Sequence, residues 1–304
     1  MFPGQGAQQV GMGRDLADNF PEIASLYQHA DEIVGYDLSR LCFEGPEDQL
    51  NRTEISQPAL FVTSAACLTA LRAGKIAAPL AQLQPDFCAG LSLGEYTALC
   101  YAGAIRFEDA VRLVRQRGLF MKEAGEQNPG AMLTLLGMER GAVADLVGAC
   151  RDKGPLVAAN FNSPGQIVLS GTVPAIEAAE ALAKERGARR AIRLAVSGAF
   201  HSPLMEPAAD KLRAELARTR IEAPALPLVS NVTARFVRSA DEARDLLSRQ
   251  LTSSVLWEDS MRFMIAEGVT EAVEVGPGRV LTGLLAKTDR NVATTNIGSL
   301  ADLG

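Results

Sequence analysis

The chain has 304 residues, about twice the ~150 of a typical domain, which leaves room for two domains or for a small domain inserted into a large one. Hydrophobic residues make up 47% and charged residues 22%, which excludes a fibre, a disordered tail and a small disulfide scaffold. The formal net charge of -6 argues against a protein that coats nucleic acid, because such proteins usually carry a basic stripe.

The sequence also gives no indication of a membrane-spanning segment or of a metal site. No run approaches the ~18 apolar residues that a membrane span needs, and residues 1–4 lack the basic and apolar regions of a signal peptide, so a cytoplasmic protein without a membrane partner is predicted. The five cysteines show neither CxxC nor zinc-finger spacing, which favours reduced, buried thiols. With only two histidines, His29 and His201, we predict no metal site, and any imidazole chemistry must use one of these two.

The first third of the chain is predicted to be mostly helical. Apolar residues recur at helical spacing across residues 23–34, and residues 59–71 are apolar enough for a helix buried on more than one face. A short apolar segment at residues 86–89 then predicts a strand. It leads through a tight turn to a helix at residues 95–102.

Short strands alternate with helices in the middle of the chain. The predicted order is βαββαβ, that of a ferredoxin-like unit, with strands at 131–138, 156–160, 166–170 and 190–196 and helices at 139–151 and 173–186. Glycine-rich stretches on both sides are plausible hinges. We therefore predict a small inserted domain at residues 128–196 and a larger α/β domain from residues 1–127 and 197–304. The latter resumes as helices around two short strands, 226–230 and 271–275.

Residues 90–94, Gly-Leu-Ser-Leu-Gly, fit the GxSxG nucleophile elbow, a strained strand-to-helix turn that exposes a serine hydroxyl. Such a motif also arises by chance, but the predicted strand and helix on either side favour a nucleophilic Ser92. The helix N-terminus behind it offers N–H groups to a developing oxyanion. His201, directly after the last strand of the small domain, is the predicted general base, and His29 lies in an amphipathic helix where a structural role is favoured. The long stretch after His201 disfavours a standard esterase, in which the histidine is near the C-terminus.

Two further segments leave alternatives open. The glycine-rich residues 3–8 fail the dinucleotide fingerprint, because Gln9 stands where the last glycine belongs; a loop donating N–H groups to an oxyanion and a plain surface turn both fit. Arg117 precedes Gly118, and its guanidinium could hold a substrate carboxylate through two hydrogen bonds. A solvated helix face is the alternative, and it explains the neighbouring Arg112 and Arg115.

Seven segments together resemble the malonyl-CoA:acyl carrier protein transacylases, a family that includes fatty-acid synthesis enzymes and the acyltransferases of polyketide synthases. They occur in family order over nearly the whole chain: residues 2–8 (FPGQGAQ), 90–96 (GLSLGEY), 116–118 (QRG), 160–166 (NFNSPGQ), 200–202 (FHS), 230–232 (SNV) and 274–278 (EVGPG). The resemblance implies an α/β-hydrolase-like large domain with a ferredoxin-like insert. It also implies a ping-pong transfer of malonyl from malonyl-CoA to the phosphopantetheine thiol of an acyl carrier protein.

The resemblance assigns roles residue by residue. Ser92 would attack the thioester, and His201 would take its proton and return it to the departing coenzyme A thiolate. The other assignments are the backbone carbonyl of Gln250 for orienting the histidine, the N–H groups of Gln5 and Leu93 for the oxyanion hole, and Arg117, Phe200, Asn160 and Asn162 for substrate binding. Arg117 would pair with the malonyl carboxylate, and the Phe200 ring would crowd the α-carbon and disfavour methyl-branched units. No bound cofactor and a monomeric state are expected.

Three departures from the family pattern carry expectations of their own. Leu91 replaces the usual histidine before the nucleophile, which removes a polar group beside the site, and Ser254 replaces a usual proline. The family has a strand before the FPGQG motif, where this sequence has only Met1. We therefore expect either that the protein starts further upstream or that the central sheet lacks this strand. We also expect the chain without the strand to be less stable.

Alternatives to malonyl transfer remain. An acyl hydrolase would use the same Ser92 and His201, a trans-acting polyketide acyltransferase would take another acyl unit, and a silent docking subunit would use neither residue. Carrier proteins are generally acidic, so the hypothetical docking charges are Arg186, Arg189, Arg190 and Arg193, with Lys122 or Arg235. Solvated surface cations are the equally simple interpretation of these residues.

Overall fold

The computed structural model describes residues 1–73 and 84–303. Its first part is helical, as predicted, with α1 (Arg14–Asn19), α2 (Pro21–Val34), α3 (Leu38–Glu44), α4 (Glu47–Leu50) and α5 (Thr53–Arg72). The α5 helix is buried along most of its length, which explains why its sequence is apolar on more than one face. The strand β1 (Cys88–Ala89) is shorter than predicted and leads into α6 (Gly94–Tyr101) and the long α7 (Phe107–Gln127).

A mixed sheet of mainly parallel strands lies at the centre of the molecule. β6 (Leu228–Val229) pairs in parallel with β1 and antiparallel with β7 (Phe236–Val237), while β8 (Glu271–Val275) pairs in parallel with β9 (Ala293–Ile297). Residues 1–2 join the two halves, because the Phe2 N–H donates to the Ala89 carbonyl at 3.0 Å and the Val275 N–H donates to the Met1 carbonyl at 2.9 Å. Extended residues therefore lie between β1 and β8, where the resemblance requires a strand.

A second, antiparallel sheet forms the middle of the chain. Its strands are β2 (Gly130–Leu136), β3 (Leu156–Ser163), β4 (Gln166–Thr172) and β5 (Arg190–Arg193), in the order β3-β4-β2-β5. The helices α8 (Arg140–Ala149) and α9 (Val173–Ala183) pack on one face, and a separate core with Leu133, Leu135 and Ile176 lies between. Met132 and Val168 point to the opposite face and join the main core. This is the predicted sequence of strands and helices, with boundaries shifted by a few residues.

The remaining elements return to the central sheet. They are α10 (Glu206–Arg218), α11 (Ala240–Gln250), α12 (Trp257–Ala266) and α13 (Val280–Thr288), together with the 3-10 turns Arg151–Lys153, Pro203–Met205 and Leu300–Leu303. The strands β7 and β9 were not predicted. Within residues 1–73 and 84–303, no helix combines the length and the apolar character that crossing a membrane requires.

The two sheets meet close to the end of α11. The Phe161 N–H donates to the Val255 carbonyl at 2.9 Å, and the Val255 N–H donates to the Ala159 carbonyl at 2.8 Å. Ser254, the residue in the position of the usual proline, donates its hydroxyl to the Ala158 carbonyl at 2.7 Å. A side-chain hydrogen bond thus ties this segment to β3 where a proline ring would have stiffened it.

Candidate active site

The segment between β1 and α6 forms the tight turn that the GxSxG motif predicts. Ser92 has a φ of 52°, in the left-handed region that non-glycine residues rarely adopt. A Cβ on Gly90 would lie 1.9 Å from the Gly94 carbonyl oxygen, and a Cβ on Gly94 would lie 2.1 Å from that of Phe2. Both positions therefore require glycine, since any side chain would push the elbow off the sheet.

Asn231, which follows β6, holds the elbow in this strained shape. Its Oδ1 accepts a hydrogen bond from the Ser92 N–H at 2.6 Å, and its Nδ2 donates to the Gly90 carbonyl at 2.7 Å. All of these groups are buried, so the bonds compensate backbone groups that cannot reach water. Sequence reasoning quoted Asn231 only as part of a matching segment and gave it no role.

His201 lies beside the serine at the start of the loop before the Pro203–Met205 turn. Its Nε2 is 2.8 Å from Ser92 Oγ and its Nδ1 is 2.8 Å from the Gln250 carbonyl oxygen. Because that carbonyl can only accept, Nδ1 carries the hydrogen and Nε2 is free to accept the serine proton. Burial, reinforced by the positive charge of Arg117, lowers the pKa of His201 from 6.5 to about 4, so the imidazole is a neutral base at pH 7.

Arg117 projects from α7 toward the serine and is fully buried. Its Nη2 donates to Ser92 Oγ at 3.0 Å and to Gln250 Oε1 at 2.9 Å, and its Nη1 donates to Gln57 Oε1 at 2.7 Å. Its Nε has no partner, and its guanidinium lies 5.3 Å from the centre of the Tyr96 ring. Burial lowers the pKa of Arg117, yet guanidinium stays charged in proteins.

The buried charge of Arg117 has no ion-pair partner within the described part of the chain. A cation removed from water is costly unless a counter-charge reaches it. The arrangement can therefore receive an anionic group beside the serine hydroxyl, with Nε and one Nη1 hydrogen available.

The side chain of Gln250 links three parts of this site. Its Nε2 donates to the Ser92 carbonyl at 3.0 Å and to Glu95 Oε2 at 2.6 Å, opposite the Oε1 that accepts from Arg117. Glu95 Oε2 also accepts from the Asn231 N–H at 3.3 Å. Burial raises the pKa of Glu95 from 4.5 to about 7, an effect that the Gln250 hydrogen bond opposes. The sequence analysis gave Glu95 no role; the available signal was an acid at the start of a predicted helix, three residues after the nucleophile.

The two residues assigned to the oxyanion hole come from different segments of the chain. Gln5 is in the loop after residues 1–2 and donates its Nε2 to Thr53 Oγ1 at 3.2 Å, and Leu93 is buried at the N-terminus of α6. Among the described residues, no hydrogen-bond acceptor is recorded for either backbone N–H. Leu91, the replacement for the usual histidine, packs against this loop, since a Cβ on Gly4 would lie 2.4 Å from the Leu91 carbonyl oxygen.

The three other substrate-binding candidates are less directly connected to the nucleophile. Phe200 precedes His201 and is buried in the main core. Asn160 is buried on β3 opposite Val255, and Asn162 is half-buried with an Oδ1 that has no partner. No hydrogen bond joins either asparagine to Ser92, His201 or Arg117 within the described residues, so the structure places them at the junction of the two sheets and not in the hydrogen-bond network of the serine.

Comparison with known proteins identifies relatives along the whole chain. Residues 1–301 match the family model for the acyl transferase domain. The malonyl CoA-acyl carrier protein transacylase of Bacillus subtilis is 46% identical over 295 residues, which cover 97% of this chain and 91% of that protein. The crystal structure of the malonyl-CoA:acyl carrier protein transacylase of Xanthomonas oryzae has a TM-score of 0.93 at 40% identity, covering 99% of this chain and 94% of the other. A type II PKS acyl-carrier protein in complex with its malonyl-transacylase matches at a TM-score of 0.94 and 39% identity, covering 99% and 96%.

Proposed function

The chain belongs to the acyl transferase family, and the relatives described above are malonyl-CoA:acyl carrier protein transacylases. We therefore propose that it transfers malonyl from malonyl-CoA to the phosphopantetheine thiol of an acyl carrier protein. The observation that carries this proposal is the buried Arg117, which lies 3.0 Å from Ser92 Oγ with no acidic partner among the described residues. An acyl unit with a carboxylate two bonds from its thioester carbonyl would meet this cation as the serine attacks.

The first half-reaction uses the pair of Ser92 and His201. His201 Nε2 takes the hydroxyl proton as Oγ attacks the thioester carbonyl, and the N–H groups of Gln5 and Leu93 stabilise the oxyanion. When the tetrahedral intermediate collapses, the carbon–sulfur bond breaks and His201 returns its proton to the coenzyme A thiolate. The Gln250 carbonyl holds the imidazole throughout, in the place that an acid takes in a Ser-His-Asp triad.

The second half-reaction runs the same steps in reverse with a new thiol. His201 deprotonates the phosphopantetheine thiol, the thiolate attacks the malonyl-serine, and the proton returns to Ser92 as the ester bond breaks. The acyl carrier protein is thus the proposed macromolecular partner. The predicted cytoplasmic location, monomeric state and lack of a bound cofactor stay predictions.

We also infer the domain division behind this chemistry. Residues 1–127 and 197–304 would form an α/β-hydrolase-like catalytic domain, and residues 128–196 a ferredoxin-like insert. The separate core of the second sheet and its strand order β3-β4-β2-β5 support the division. Arg117 comes from α7 of the first part, and His201 comes from the chain just after the insert.

An acyl hydrolase with the same Ser92 and His201 is the second candidate. Transfer is favoured because the site is closed: Ser92 and His201 are buried, which limits the access of bulk water to an acyl-serine. The cationic Arg117 further favours an acyl group that carries a carboxylate.

Intact-mass spectrometry tests both candidates. We expect a malonyl adduct on the wild type and none on Ser92→Ala after brief mixing with malonyl-CoA. The adduct should move to an added phosphopantetheinylated carrier protein faster than it hydrolyses. An adduct lost only to water would favour the hydrolase, and no adduct from any acyl thioester would indicate a silent subunit.

A further inference from the structure

The orientation of the Gln250 amide is determined by what surrounds it. At one end the Ser92 carbonyl and Glu95 Oε2 accept hydrogen bonds, and at the other end the Arg117 guanidinium can only donate. An amide turned by half a rotation would place its NH2 against the Arg117 donors and its oxygen against two acceptors. Only the observed orientation satisfies all of these buried groups.

Glu95 is the side chain that enforces this orientation. It is buried in the first turn of α6, and its Oε2 lies 2.6 Å from Gln250 Nε2, the shorter of that nitrogen's two bonds. The Asn231 N–H donates to the same oxygen and so fixes Glu95 from the β6 side. No hydrogen bond joins Glu95 directly to His201 or to Ser92 Oγ among the described residues.

The Gln250 residue holds the two halves of the site by different atoms. Its backbone carbonyl holds His201, and its side-chain oxygen holds Arg117. A disturbance of the Gln250 side chain therefore moves the cation without removing the support of the histidine. We propose that Glu95 is a positioning residue, an inference that rests on the proposed function. Through the Gln250 amide, Glu95 orients Arg117 toward the carboxylate of the acyl group and so contributes to the preference for malonyl over uncharged acyl units.

Two substitutions separate positioning from mere folding. Glu95→Gln keeps a side-chain carbonyl where Oε2 accepts, whereas Glu95→Met fills a similar volume but offers Gln250 no acceptor. Glu258→Met is the matched control. It also removes a buried carboxylate, but Glu258 bonds to Arg140 and Arg262, which belong to a different network.

The readout is the binding of two stable coenzyme A amides, measured by calorimetry. In both probes an NH group replaces the thioester sulfur; one carries the malonyl carboxylate and the other the acetyl methyl group. For Glu95→Met we expect about a tenfold loss of affinity for the malonyl probe, the effect of one misplaced hydrogen bond to a charged group, and no change for the acetyl probe. Glu95→Gln and Glu258→Met should bind both probes as the wild type does.

Equal weakening of both probes by Glu95→Met, or no weakening of either, would overturn the inference. If Glu95→Met does not fold, Glu95→Asp replaces it in the test, because this variant keeps the carboxylate but withdraws it from Gln250 by one methylene. If Glu95→Asp bound the malonyl probe as the wild type does, the inference would also be overturned. A wild type that binds the malonyl probe no better than the acetyl probe would contradict the proposed function itself. A preference that is undiminished in Glu95→Met contradicts only the role of Glu95.

Discussion

Two causes keep the His201 imidazole neutral: its burial and the positive charge of Arg117. The variant Arg117→Met removes the charge but keeps an apolar side chain of similar reach, so the pKa of His201 should rise from about 4 toward 6.5. The Cε1 proton signal of His201, followed by NMR across a pH series, measures the shift. The chain has only two histidines, so a His29→Gln variant assigns the signals. An unchanged pKa in Arg117→Met would show that burial alone sets it.

Phe200 is the residue to which the resemblance assigns the choice of acyl unit. It precedes His201 and is buried, so a smaller side chain would leave space beside the base. For Phe200→Ser we expect the ratio of methylmalonyl to malonyl loading to rise about 10- to 100-fold, because one methyl group in a tight pocket is worth roughly 1–3 kcal/mol. Competition between the two coenzyme A thioesters, followed by intact mass, measures the ratio. An unchanged ratio would show that another residue determines the choice of acyl unit.

The contact between α5 and α7 positions Arg117 at the scale of whole elements. Gly118 lets the helices approach, since a Cβ there would lie 2.9 Å from both the Glu54 Cα and the Thr53 carbonyl oxygen. Gly118→Ala should therefore lower the free energy of unfolding by about 1–3 kcal/mol and also weaken malonyl loading.

Gly283, inside α13, is the matched control for Gly118. A Cβ there meets nothing within 4 Å, so Gly283→Ala should raise stability by up to about 1 kcal/mol. Urea unfolding of both variants gives the comparison. A Gly118→Ala protein as stable as Gly283→Ala would mean that the helices can separate freely.

The elements that the sequence predicted well are those with a local signal. The alternation of strands and helices between β2 and β5 follows from periodicity within each segment, and the elbow follows from the two glycines around Ser92. The short strands β7 and β9 were missed, because their pairing depends on β6 and β8 rather than on their own residues.

The same distinction applies to the site. Ser92 and His201 were predicted from residue types and spacing, whereas the resemblance was needed to predict a role for Gln250 and to choose between the two interpretations of Arg117. Glu95, Asn231 and Gln57 were missed because their partners are distant in sequence; Gln250 lies 155 positions from Glu95 and Asn231 lies 139 from Ser92. Only the folded chain shows that a buried acid and two amides complete the network.

The stability of the central sheet depends on the surroundings of the Met1 amino group. The Met1 ammonium group donates to the Val273 carbonyl at 2.6 Å inside the sheet, and burial lowers its pKa from 8.0 to about 6. Beyond it lies a cavity of about 310 Å³ between the starts of β1 and β8, lined by apolar side chains that include Leu68, Met261 and Leu285.

An added N-terminal segment should therefore stabilise the sheet. Three strand-forming residues before Met1 would replace the ammonium by a peptide group and pair with β1 and β8, so the melting temperature should rise. Between pH 8 and pH 6 the Met1 amine takes up a proton more readily in the unfolded chain than in the folded chain, because its pKa is lower when it is buried. The free energy of unfolding should therefore fall by about 2–3 kcal/mol as the pH is lowered through that range. The advantage of the extended chain should thus be larger at pH 6 than at pH 8. Equal melting temperatures of the two chains would contradict this account.

Docking of an acidic carrier protein depends on which of the predicted basic residues are free at the surface. Arg193 bonds to Glu180 at 2.6 Å, Lys122 pairs with Glu54 and Glu126, and Arg235 covers the Phe263 ring. Within residues 1–73 and 84–303, no ion pair is recorded for the other three, which lie at or near the exposed edge strand β5: Arg186, Arg189 and Arg190.

Arg190→Glu should consequently slow the second half-reaction and leave the first unchanged. We expect malonyl-CoA loading not to depend on Arg190, whereas a reversed charge on β5 repels an acidic partner over roughly the 10 Å Debye length at 0.1 M salt. The rate of transfer from preloaded enzyme to the carrier protein, measured at low and high salt, should fall several-fold at low salt and recover part of the difference at high salt. Arg220→Glu, on an exposed residue paired with Glu222 outside the second sheet, is the control. Transfer by Arg190→Glu at the wild-type rate in low salt would show that Arg190 is a solvated surface residue.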